Sequence, residues 1–186
     1  RALQSSVWSK TFAVELEDEA QQLILSAAHP QPGDDDRLDL CHLATYTLDD
    51  AGTREIDDGI SLDDQNGEVW IWVHIADPAR LIPPGSPLDQ EARRRATSLY
   101  LADGVLPMLP LSLAAGPLSL RAGERTAAVS VAVRLDSAGA IADRRIARSW
   151  VRPRYGLTYA DGDELIELAP PGDETLADLS RLMQLR

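Results

Sequence analysis

The chain carries a single cysteine, Cys41, and a single lysine, Lys10, against seventeen arginines. One cysteine excludes a disulfide within the chain and fits a reducing compartment. Cys41 is expected to be a small buried hydrophobe rather than a nucleophile. No run of roughly eighteen apolar residues is present, which excludes a membrane-spanning helix. No charged-then-apolar segment of the secretory type opens the sequence. Internal repeats and low-complexity tracts are also missing. Together these absences point to a soluble, cytoplasmic protein with no membrane partner.

What is present suits one domain, or one domain plus a piece of another, in 186 residues. An apolar fraction of 44% is enough for a core. The net charge of −12 argues against non-specific nucleic-acid binding. That charge is unevenly spread. The first part of the chain is strongly acidic, whereas Arg93, Arg94 and Arg95 cluster, as do Arg144, Arg145, Arg148, Arg152 and Arg154. Arginine's planar fork suits phosphate better than the point charge of lysine, although the skew towards arginine equally fits a GC-rich genome.

The most informative stretch runs from Thr47 to Ile60. It holds Asp49, Asp50, Glu55, Asp57 and Asp58, interrupted by apolar Leu48 and Ile56 and by Gly52 and Gly59. Asp49 ends a strand-like run and Asp58 opens another. A turn doubling back between them brings Asp49, Glu55, Asp57 and Asp58 towards one point. Converging carboxylates repel unless a cation sits among them, and hard oxygen ligands suit Mg²⁺ or Mn²⁺. The same spacing reads equally as a solvated acidic loop. The pattern does not fit an EF-hand, which needs a glycine at the sixth position and a glutamate at the twelfth.

Residues 1–36 read as a linker or the tail of an upstream domain. They contain a helix over Val14 to Ala28, closed by His29-Pro-Gln-Pro-Gly. Leu43 to Leu48 and Ile60 to Leu62 are strand candidates. Asn66-Gly67 marks a type I′ hairpin. Val69 to Ala76 then forms a strand expected to be buried on both faces, with His74 a satisfied core histidine rather than a ligand, the less favoured alternative, and Asp77 either joining the acidic site or capping a turn. Ser86-Pro-Leu-Asp89 opens a helix whose buried stripe is Leu88, Ala92, Ala96 and Leu99, leaving Arg93 to Arg95 largely exposed. Tyr100 falls at the exit of that helix, as a packed core tyrosine or a stacking platform for a base. Val105 to Pro110 reads as an ordered loop. Thr126 to Asp136 and Ala140 to Arg152 form a hairpin with Ile141, Ile146 and Trp150 inward. Leu176, Leu179, Leu182 and Met183 mark a last amphipathic helix.

Several of these stretches resemble the RNB catalytic domain of the RNase II/RNase R exoribonuclease family. They are Arg37-Leu-Asp-Leu40, Thr47-Leu-Asp49, Thr53-Arg-Glu-Ile-Asp-Asp58, Val73-His-Ile-Ala-Asp77, Pro84-Gly-Ser-Pro-Leu-Asp89, Arg95-Ala-Thr-Ser-Leu-Tyr-Leu101, Pro107-Met-Leu-Pro110, Leu118-Ser-Leu120 and Leu157-Thr-Tyr159. The resemblance covers about residues 37–186, the N-terminal portion of such a domain. It implies an α+β fold, a mostly antiparallel sheet flanked by helices and incomplete in this chain. It implies a Mg²⁺-dependent hydrolytic 3′→5′ exoribonuclease that degrades single-stranded RNA to nucleoside 5′-monophosphates. Asp49, Glu55, Asp57 and Asp58 would be the catalytic and metal-holding positions, and Tyr100 would stack on the 3′-terminal nucleotides. The rest of the catalytic domain and RNA-binding domains would lie outside this chain. Glu55 departs from the resemblance, because the family has Asp there. A catalytically weak or silent RNA-binding relative is therefore the alternative.

Overall fold

In chain order the elements are α1 (Val14–Ala27), β1 (Leu38–Asp39), β2 (Thr45–Asp49), β3 (Asp58–Gln65), β4 (Glu68–Ala76), α2 (Pro87–Arg95), β5 (Leu99–Leu101), β6 (Gly104–Leu106), α3 (Leu111–Ala114), β7 (Thr126–Leu135), β8 (Ile141–Val151), β9 (Tyr155–Thr158) and α4 (Tyr159–Leu168). The computed structural model describes residues 9–102 and 104–168. The last predicted helix, at Leu176 to Met183, lies outside the described residues. The chain divides into two units. One joins the residues up to 34 with 78–118, and the other joins 35–77 with the chain from 119 onward.

The second unit is a seven-stranded sheet in the order β1-β8-β7-β4-β3-β2-β9. Its central pairs are antiparallel, and only β1 and β9 join in parallel. The α+β, mostly antiparallel expectation matches this architecture. Asn66 (φ 58°) and Gly67 (φ 89°) supply the left-handed pair that closes the β3–β4 hairpin. The sheet is curled, as chain length requires. Val151 ends β8 and Tyr155 opens β9, so their Cα atoms lie within about 15 Å. Five strand places separate β8 from β9, which would be about 24 Å in a flat sheet.

The concave face is the core. Trp70, Trp72 and Ala76 of β4 pack with Leu40, Leu43, Leu120, Ala128, Ala132 and Val151. The register sets large against small: Trp72 lies opposite Ala132, and His74 opposite Ser130. Arg37 closes one end of this core. Its Nη2 donates to Asp77 Oδ2 at 2.6 Å, and its Nη1 reaches Ala128 O and Ser149 O. Asp77 is thereby a buried ion-pair partner rather than a member of the acidic stretch's cluster.

His74 is the satisfied core histidine the sequence suggested. Its Nε2 lies 2.8 Å from Ser61 Oγ and its Nδ1 2.7 Å from Ser130 Oγ, which in turn lies 2.6 Å from Ser149 Oγ. Ser149 donates onward to Ala128 O. If the donors run in one direction, Ser130 donates to Ser149, His74 Nδ1–H donates to Ser130, and Ser61 donates to Nε2. That ring is neutral, and burial pushes its pKa down to about 4.

Two expectations are corrected on the convex face. β4 is not buried on both sides, because Val73 and Ile75 are 37% and 46% exposed. Ile141 and Ile146 do not point inward, and Ile146 is 72% exposed. The register puts Ile146 opposite Val131, on the face away from the tryptophans. Trp150 is buried, as expected. Cys41 is only half-buried.

In the first unit α1 packs with α2 and α3. Ala20, Leu81, Ile82, Leu88, Leu109, Leu113 and Leu118 form its core, with Leu16, Leu23 and Ile24 of α1 against it. The segment expected as linker or upstream tail therefore contributes a helix face to this core. Ser86 caps α2 by accepting from Asp89 N, and Pro87 fills the first turn. α2 ends earlier than the apolar stripe suggests, at Arg95, because Ala96 turns left-handed (φ 66°). Tyr100 is consequently on a short strand, β5, paired with β6, and not at a helix exit. The expected loop from Val105 begins as β6.

Arg95 corrects another expectation, since it is buried and not exposed. Its guanidinium donates to Glu91, to the carbonyls of Ser9, Thr11 and Pro107, and lies 3.7 Å from the Phe12 ring. Arg94 and then Arg95 hold the Glu91 carboxyl down to about 2.

Two outcomes follow from these contacts. His74 takes up a proton more readily unfolded than folded, so its stabilising effect is present above about pH 6.5 and lost as pH falls towards 4. Urea unfolding across that range should show a loss of about 3 kcal/mol, and His74→Gln should flatten the dependence. Arg95→Met should cost the first unit about 3 kcal/mol by leaving buried acceptors unpaired, seen as earlier loss of helical circular dichroism.

Candidate functional site

The acidic stretch is built by two strands forced together. β2 and β3 pair with Thr45 opposite Ser61 and Tyr46 opposite Ile60. Continued in that register, the end of β2 runs towards Asp57 and Asp58. Gly59 sets the close approach, since a Cβ there would meet Tyr46 O at 3.1 Å and the Thr45 and Thr47 methyl groups at 3.3 Å. On the other side of β2, Asp49 lies in register with Thr158 of β9.

The connecting loop is pinned by its one large apolar residue. Ile56 packs against the sheet core. Its N–H donates to Ser119 Oγ at 3.2 Å, and its carbonyl accepts from Leu120 N at 2.7 Å. The Asp57 carbonyl accepts from Ala76 N at 2.8 Å. Asp50 accepts a turn bond from Thr53 N. Ile56 thus anchors the residues on either side of it, and the carboxylates are held where hydrophobic packing puts them. Sequence reasoning named Leu118 to Leu120 only as a matching word. The signal for its anchoring role is the small polar Ser119 between two leucines.

The carboxylates at these strand ends act on one another. Asp49 is raised above the ordinary carboxylate range, chiefly by burial and then by Asp58, Asp57 and Asp50. Asp58 is raised by burial and then by Asp57. Three of the four expected residues, Asp49, Asp57 and Asp58, therefore share one electrostatic neighbourhood, joined by Asp50. Glu55 is half-buried and is not among the charges that raise Asp49 or Asp58. Among the described residues no group of three His, Cys, Asp or Glu side chains stands close enough to hold a metal ion. The donor chemistry, carboxylate oxygens in mutual repulsion, fits a hard divalent cation. The side chains as placed do not form a ready-made cage for it.

Tyr100 belongs to the other unit. It lies on the β5–β6 hairpin opposite Val105 and is 66% exposed, so the packed-core reading does not hold.

Residues 37–186 match the RNB domain family model, and the chain belongs to that family. Its relatives agree with this placement. The chain is 43% identical over 185 residues to an uncharacterised ribonuclease of Synechocystis, covering 99% of this chain and 28% of that protein. It is 44% identical over 151 residues to a chloroplastic/mitochondrial ribonuclease II of Arabidopsis thaliana, covering 81% of this chain and 19% of the relative. The fold superposes on Mycoplasma genitalium RNase R, solved in complex with ribose-methylated single-stranded RNA, with a TM-score of 0.82 at 23% identity, over 94% of this chain and 28% of that one. The chain thus spans less than a third of the length of these proteins.

Because their folded pKa values are raised, Asp49 and Asp58 destabilise the fold as they ionise above about pH 4. Asp58→Asn should therefore raise the Tm at pH 7 when divalent ions are absent. Added Mn²⁺ should raise the Tm of the unsubstituted protein and leave that of Asp58→Asn nearly unchanged, read by thermal unfolding with and without the ion.

Proposed function

We propose that this chain is the N-terminal part of the catalytic domain of a hydrolytic 3′→5′ exoribonuclease acting on single-stranded RNA and releasing nucleoside 5′-monophosphates. The observation that carries the reading is the pairing of β2 with β3, which brings the Asp49 end of one strand to the Asp57-Asp58 start of the other, in a chain whose relatives at 43% and 44% identity are named ribonucleases. Asp49, Glu55, Asp57 and Asp58 would hold Mg²⁺ or Mn²⁺, which when bound supplies charge stabilisation at phosphate and activated water. The chain's own contribution is positional. Gly59 and Ile56 hold the carboxylates at the strand ends, where Asp49 is half-buried and Asp58 stays open to solvent on one side. Exposed Tyr100 offers an aromatic face on which a terminal base stacks. With a net charge of −12, the basic surface needed against RNA belongs in part to regions outside this chain. The same reading places the protein in the cytoplasm.

Glu55 favours a second reading, a weak or silent relative. Its extra methylene extends the carboxylate by about 1.5 Å, one C–C bond, and a misplacement of about 1 Å costs about a hundredfold in rate. The test is the full-length protein on 5′-labelled single-stranded RNA with Mg²⁺, beside Asp57→Asn and Glu55→Asp. A ladder shortening from the 3′ end and abolished by Asp57→Asn is the expected outcome. Intact RNA with the natural protein and a ladder with Glu55→Asp would establish the silent relative instead.

A further inference from the structure

The convex face of the curled sheet carries side chains of the wrong kind for solvent. Val73, Ile75 and Ile146 are exposed there, with Ile60 and Val131 half-buried between them. The registers place all five on one face of four adjacent strands. An antiparallel sheet covered on one side alternates apolar inward with polar outward. Here the inward positions are already filled by the tryptophan core, and the outward ones are β-branched hydrophobes. That composition belongs to a sheet with a second layer on it, and a contiguous apolar patch of this kind marks an interface.

The geometry points to one occupant: an apolar layer with acidic residues at its rim, supplied by the part of the same polypeptide that lies outside this chain. Two observations select it. The matched region is 28% and 19% of the curated relatives' lengths, so most of such a protein lies elsewhere in its sequence. Arg144 and Arg148 stand on the same convex face of β8, beside Ile146, and remain exposed; Arg148 has Asp36 at 3.9 Å. Acidic side chains opposite them would complete the rim. An RNA strand would satisfy these arginines but leave Val73, Ile75 and Ile146 without apolar partners. A second copy would bring an equally cationic rim. The placement matters for the acidic cluster whether or not that cluster is catalytic. Asp58 pairs across the strands with Ile75, so a layer covering Ile75 also removes water from one side of Asp58.

The test uses the full-length protein with Cys41→Ser and one of Val73→Cys, Ile75→Cys or Ile146→Cys. Alkylation rates are compared between the native protein and the same protein in urea. A covered face predicts at least about a hundredfold protection at all three positions, independent of protein concentration and of added RNA. Native rates within a few-fold of the unfolded ones would overturn the proposal. Protection that disappears on dilution would overturn it in favour of self-association, and protection that appears only with single-stranded RNA would overturn it in favour of an RNA surface. Ile146→Cys, on the outermost of these strands, reads the same face should the β4 variants fail to fold.

Discussion

The sheet unit depends on the fit of large side chains on β4 to small ones on its neighbours. Trp72 faces Ala132 and His74 faces Ser130, and Ser149 and Ala128 lie beside them on β8 and β7. Interiors pack at crystal-like density, so two indoles and an imidazole leave room for little else on the concave side. The short link from Val151 to Tyr155 demands the curl that creates that concavity. Larger residues on β7 or β8 would hold the sheet open and strain the link. The chain's small inward residues and its three-residue crossover are two expressions of one requirement.

That same curl carries the acidic cluster. Carboxylates that repel would drift apart in a free loop. Here β2 and β3 are drawn together at Gly59, and Ile56 is bonded at both its N–H and its carbonyl to Ser119 and Leu120. Hydrophobic burial and backbone bonds thus oppose the repulsion. A scaffold that holds like charges together against their repulsion is how a cation site is pre-arranged.

Much of this was legible in the sequence because it is written in short-range chemistry. Asn66-Gly67 announced its hairpin, Ser86-Pro87 its helix start, and the nearly unbroken apolar run from Val69 its strand. The acidic stretch announced itself by charge density, and three of its four expected members share one neighbourhood. What was not legible depends on partners distant in sequence. The burial of Arg95 needs carbonyls at Ser9, Thr11 and Pro107. The outward turn of Ile146 is a matter of register, and a single-residue shift reverses every side chain on a strand. The early end of α2 at Ala96 followed from a left-handed residue that no glycine signalled. Tyr100 moved from a helix exit to a hairpin for the same reason.

The described tryptophans are distributed in a way that separates the two units spectroscopically. Trp70, Trp72 and Trp150 all lie in the curled sheet, and the unit built on α1, α2 and α3 has none among its described residues. Guanidinium groups lie over two of them, Arg145 at 3.8 Å from the Trp70 ring and Arg125 at 3.9 Å from Trp150. With the fourth tryptophan, Trp8, replaced by Phe, indole emission from these positions reports the melting of the sheet and the departure of those cations, while helical dichroism weights the other unit. Two probes followed on one sample resolve whether the acidic strand ends and the Tyr100 hairpin lose their structure together or in sequence.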